Sequence, residues 1–122
     1  MCARKTATLC IAFLPFALTQ LVLSQSRPDD PMKRFKQWIE EEVAYIITDP
    51  ELQVFNALTA AEEKEHFIEQ FWARRDPTSS TAENEFKEEH YRRIQYANER
   101  FAAGRPGWRT DRGRIYIKYG EP

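Results

Sequence analysis

The sequence predicts a mainly α chain of three to four packed helices followed by one β-strand, the opening part of an α+β domain. Two observations carry that class. Apolar residues recur at helical spacing in segments separated by Asp, Thr and Pro start signals, from Phe35 to Phe101. After Gly113 the period changes, and Ile115, Ile117 and Tyr119 alternate with Arg114, Tyr116 and Lys118. With 122 residues there is room for one small domain, and 42% hydrophobic and 13% aromatic residues are too many for a disordered tail. Eighteen basic against nineteen acidic residues exclude a whole-chain polyanion binder.

Residues 1–24 read as a secretory signal rather than as part of the fold. Arg4 and Lys5 precede an apolar run from Ala7 to Leu23, no acid comes before Asp29, and small side chains stand at Ser24 and Ser26. The run holds Pro15, Thr19 and Gln20 and falls short of the roughly 20 apolar residues a spanning helix needs. Cleavage is therefore expected rather than retention as an anchor, and the membrane is met only through this segment if it is kept. Cys2 and Cys10 leave with it, so no disulfide or thiolate site is expected. Residues 25–31 are a polar, proline-bearing linker.

The remainder, residues 32–122, is read as one domain. Asp30 and Pro31 open a first helix with Phe35, Trp38, Ile39, Val43, Ile46 and Ile47 as its apolar positions. Thr48-Asp49-Pro50 stops it and starts a short second helix through Leu52 and Phe55. Thr59 and Glu62 match a reciprocal capping box at the start of a third, which carries Phe67, Ile68, Phe71 and Trp72 and ends near Arg74-Arg75-Asp76-Pro77. Thr81 is the expected cap of the last long helix, with Phe86, Tyr91 (or His90), Ile94, Ala97 and Phe101 as its stripe and Gly104 as its left-handed end. The strand over Arg114 to Tyr119 would leave its backbone ladder unpaired. It is thus expected to join a sheet beyond the chain end, or to pair with another chain.

The most informative segment is the connector Gly107-Trp108-Arg109-Thr110-Asp111-Arg112-Gly113. Gly107 and Gly113 permit positive φ, Thr110 and Asp111 can bond nearby backbone N–H groups, and Trp108 can bury its ring under the turn. Together with Arg114-Ile115-Tyr116-Ile117-Lys118-Tyr119-Gly120, it resembles the signature of the GWxTD domain family of secreted bacterial proteins. Phe71-Trp72-Ala73-Arg74-Arg75-Asp76-Pro77, Asn84-Glu85-Phe86, Glu89-His90-Tyr91 and Arg93 agree with it, so the likeness runs from about Val43 to Pro122. The family's activity is not established, and the resemblance carries over no catalytic residue. Relatives continue past Gly-x-Pro, which implies that this chain is the N-terminal part of the domain.

Two sites compete for the function. Residues 100–118 hold six basic residues and one acid, whereas residues 25–66 hold five basic and ten acidic. Arg109, Arg112, Arg114, Tyr116 and Lys118 then form a basic-aromatic strand face for an anionic ligand or acidic protein partner. Arg74, Arg75 and Asp76 read first as a helix-end lock and second as an anion fork. Glu85, Glu89 and His90 crowd one helix. Glu63 and His66 have the Glu-x-x-His spacing of di-iron bundles, but Lys87 replaces the glutamate that a second such pair would need, so neither metal nor cofactor is expected. No phosphate loop, nucleophile elbow or zinc helix motif occurs. The leading expectation is an exported, periplasmic or secreted, non-enzymatic binding or scaffolding module. The alternative is a hydrolase-like enzyme using Asp76, Glu85, Glu89 or His90. Export disfavours nucleic acid as a partner.

Overall fold

The computed structural model describes residues 30–122. The expected signal and all of the expected linker but Asp30 and Pro31 lie outside the described residues. Five helices follow in order: α1 (Pro31–Gln37), α2 (Asp49–Ala57), α3 (Ala61–Ala73), α4 (Glu85–Arg100) and α5 (Asp111–Tyr119). A π-helical turn (Trp38–Glu42) prolongs α1, and a 3-10 turn (Gly107–Arg109) precedes α5. No strand occurs among the described residues.

The start signals act much as the sequence indicates, with two shifts. Asp30 accepts from the Met32 N–H and caps α1, with Pro31 at its first position. The reciprocal capping box sits on α2, not α3. Thr48 Oγ1 accepts from the Glu51 N–H at 3.4 Å, and the Glu51 carboxylate accepts from the Thr48 N–H at 3.0 Å. α3 instead starts after Ala60 without a side-chain cap. α4 is capped by Asn84, whose Oδ1 accepts from the Lys87 N–H at 3.0 Å, and not by Thr81. The amide of Asn84 also donates to the Trp72 carbonyl at 2.7 Å, so one side chain starts α4 and ties off α3. Thr81 stands three positions before Asn84, in the preceding loop and too early in the chain to cap α4, and its hydroxyl lies near the Thr78 carbonyl and the Glu85 carboxylate.

The main core joins Phe35, Trp38, Val43, Phe55, Phe71 and Trp72. Trp38 meets the Phe71 ring edge-on at 5.1 Å, and Phe71 meets Trp72 the same way at 5.0 Å. A smaller cluster lies at the other end of α4, where Tyr96 stacks on Tyr116 at 4.5 Å and Phe101 closes on both. α4 therefore serves both clusters: His90 and Tyr91 face Trp72, while Tyr96 and Ala97 face α5.

The expected strand is overturned. Residues 114–119 lie within α5, and this removes the ground for expecting an unpaired ladder there to join a sheet. Thr110 accepts from the Gly113 N–H at 3.0 Å and starts the helix. Gly113, Tyr116 and Ile117 are buried at helical spacing, while Ile115 and Tyr119 are 56% and 71% exposed. In a strand Ile115, Ile117 and Tyr119 would share a face; here Ile117 points in and the other two point out.

Candidate functional site

Each letter of the connector has a physical task. The chain leaves α4, reverses at Gly104 with φ +70°, and returns across the end of that helix. Gly107 and Gly113 are glycines for closeness, not for positive φ. A Cβ on Gly107 would stand 1.8 Å from the Ala97 carbonyl oxygen, and one on Gly113 would stand 1.9 Å from the Gly107 carbonyl oxygen. Thr110 binds both sides of the junction, donating to the Gly107 carbonyl at 2.7 Å while capping α5. The Trp108 N–H donates to Asn98 Oδ1 at 2.9 Å, and its carbonyl accepts from the Tyr45 hydroxyl at 2.9 Å. The Trp108 ring is half-buried against Tyr45. Asp111 makes no backbone bond. Its side chain is 85% exposed and faces Arg114 at 3.8 Å, where a carboxylate in the first turn favours the helix dipole.

This junction holds α5 so that one face is presented outward. Arg114, Ile115, Lys118 and Tyr119 line, with Ala44, Tyr45 and Ile47, a groove of about 590 Å³. Arg112 lies over the Phe101 ring at 4.9 Å and Arg109 over the Trp108 ring at 5.3 Å. Tyr116 leaves the expected basic-aromatic surface, because the helical period turns it into the smaller cluster at 6% exposure.

The second group of candidates is spread over local tasks. Arg75 forms a two-pronged pair with Glu51 at 3.0 and 2.8 Å, donates to the Phe71 and Ile46 carbonyls, and lies 3.7 Å from the Phe71 ring centroid. Arg74 adds a contact to Glu51 at 3.2 Å. The Arg75 guanidinium holds the Glu51 carboxyl down at about 2, against the desolvation that opposes it. Asp76 accepts from the Thr78 N–H at 3.0 Å, and Glu85 accepts from the Thr81 hydroxyl at 2.8 Å. Arg92 and Arg93, each at 2.7 Å, hold the Glu89 carboxyl at about 2.

His90 is buried, and its Nε2–H donates to the Glu42 carbonyl at 2.6 Å. Burial pushes its pKa below the usual imidazole value. Glu89 and His90 line one small pocket of about 70 Å³, to which Asp76 and Glu85 do not contribute. The hydrolase-like set is thus not gathered at one point. Among the described residues no cluster of three or more His, Cys, Asp or Glu could hold a metal ion, and no helix is long and apolar enough to cross a membrane.

Sequence reasoning missed Glu51 and Glu42. Glu51 was findable, because Thr48-Asp49-Pro50-Glu51 fits the capping-box pattern as well as Thr59 to Glu62 does. Glu42 had no local signal. The π turn carries its carbonyl to His90 and its carboxylate to the Tyr91 hydroxyl at 2.6 Å.

A family model described as the GWxTD domain matches residues 18–122, beginning within the segment read as the signal. No curated protein and no solved structure matches the chain.

Proposed function

The chain belongs to the GWxTD domain family, and from that membership and the outward face of α5 we propose an exported, non-enzymatic binding module that docks an acidic protein partner. The observation that carries this is the pairing of Ile115 and Tyr119, both large and exposed, on a helix locked from behind. Exposed aromatic and aliphatic side chains on a rigid element are what a partner's surface buries with most gain. Arg114 and Lys118 line the same groove as the pair, and Asp111 is the one acid on the helix, so the chemistry suits a carboxylate-rich segment. Support for export comes from the charged start and apolar run of residues 1–24.

A photo-crosslinking residue at Tyr119 should trap a discrete partner in the envelope fraction. The adduct should vanish in the Arg114→Glu, Lys118→Glu double variant and weaken in high salt. Equal trapping in that variant, or from a crosslinker at exposed Val54, would defeat the docking face. Export is checked separately: the mature chain should begin at Gln25 or Arg27, and an intact Met1 in the cytoplasm would remove that half of the reading.

A further inference from the structure

On a different face, α2 and α3 run antiparallel and leave a groove of about 520 Å³ between them. The start of α2 meets the end of α3 through Glu51 and Arg75, and Lys64 near the start of α3 donates to the Phe55 carbonyl near the end of α2 at 2.8 Å. Pro50, Val54 and Leu58 line the α2 side at four-residue spacing, so they share one face. Val54 is 53% exposed, and Leu58 is half-buried. Glu63, Phe67, Gln70 and Arg74 line the α3 side. Glu63 and Arg74 stand about three turns apart on that face, which separates them by about 16 Å along the axis. Glu63 is exposed and has no ion-pair partner among the described residues. Arg74 reaches only Glu51, which Arg75 already holds with two prongs, so two guanidiniums share one carboxylate there. The groove is thus mostly apolar, with an unpaired negative charge at one end and surplus positive charge at the other.

We propose that two copies of the chain associate through this face about a two-fold axis. A closed dimer buries the same patch on both subunits, so the patch must complement itself. A surface with opposite charges at its two ends does so when the copies lie antiparallel. Glu63 then meets Arg74 of the second copy, Arg74 meets its Glu63, and Phe67 falls opposite its Gln70. Val54 and Leu58 supply the apolar surface beside this seam, and covering that surface drives association. A parallel arrangement would set Glu63 against Glu63 and Arg74 against Arg74, and like charges reject it. An anionic amphiphile would answer Arg74 and leave Glu63 unpaired, and a cationic one would do the converse. A second copy answers both ends with the same two residues. The patch is small, so association at about 1–100 μM is expected. The groove shares no lining residue with the α5 docking face, so the dimer and the proposed function stand or fall separately.

Sedimentation equilibrium of the protein, in the form a secreting host yields, should show a monomer–dimer equilibrium between about 1 μM and about 1 mM. Val54→Lys, at an exposed position, should weaken the dimer at least about ten-fold and leave the melting of the monomer unchanged. Glu63→Arg alone and Arg74→Glu alone should each weaken it as much, because each sets two like-charged pairs across the axis. Mixed in equal amounts, these two variants should form a heterodimer about as tight as the parent dimer, since both pairs are then attractive again. That recovery also shows that each variant is folded, which a loss of association alone would not. A photo-crosslinker at Val54 should join two copies into a product of twice the chain mass; only capture there of the partner trapped at Tyr119 bears on the α5 face. A protein that stays monomeric up to about 1 mM, a dimer indifferent to Val54→Lys, or a mixture no tighter than its two components would overturn the proposal.

Discussion

At the residue scale, the connector separates two uses of glycine that look alike in a sequence. Gly104 needs φ +70° and has open space around it, so Gly104→Asn, which tolerates that backbone, should cost less than about 1 kcal/mol. Gly107 and Gly113 face backbone atoms that cannot move aside cheaply. Gly107→Ala and Gly113→Ala should each cost about 3 kcal/mol or more, or prevent folding, as read by urea melts. Thr110→Val deletes a cap and a bond to Gly107 and should cost about 1–2 kcal/mol. Asp111→Ala should cost under about 0.5 kcal/mol, because an exposed carboxylate in a first turn contributes little. A larger loss at Asp111 than at Thr110 would reverse these assignments.

At the element scale, α2 and α3 are joined by the Arg75–Glu51 pair, whose side chains are 18% and 17% exposed. Glu51 falls from 4.5 to about 2 in the folded state. Its contribution is therefore fully present above pH 4.5 and is lost as pH falls towards 2, an amount of about 3 kcal/mol. Glu51→Gln should be less stable than the parent at pH 7 and should flatten the acid limb in urea melts across that window. His90 acts earlier on the same limb. Its folded pKa is depressed, so the unfolded chain takes up a proton first and stability begins to fall below about pH 6.5. α5 has its own test. Ile117→Ala should cost about 2–4 kcal/mol and Ile115→Ala under about 0.5, since one is 3% and the other 56% exposed. Similar losses at both positions would restore the strand.

At the scale of the whole molecule, α4 carries side chains of both clusters, and the bond from the Tyr45 hydroxyl to the Trp108 carbonyl is a second tie between the core side and the connector. Trp72 touches Phe71, Phe86, His90 and Tyr91, so it joins the α1–α3 core to the first half of α4. Trp72→Ala should remove about 3–5 kcal/mol, a large share of the stability of a small domain, and should melt both clusters in one transition. Near-parental melting would mean that the ring is not packed as described. The helical stripes through Phe35, Phe55, Phe71 and Ala97 were legible because burial on one face of a helix repeats every three to four residues. So were Gly104, the Asp30 cap and the family signature, which are all local patterns. Three features were decided only by the tertiary structure. Ile115, Ile117 and Tyr119 fit a period of two, and the same stretch also buries Gly113, Tyr116 and Ile117 at a helical period; packing against α4 chose the second. The choice between Thr48 and Thr59 as the boxed cap fell to the one whose glutamate also meets Arg75, 24 residues away. Glu42 gained its two partners on α4 across nearly 50 positions of chain, where sequence spacing carries no information about distance. Local periodicity fixes which residues can share a face, but it does not say what that face will meet.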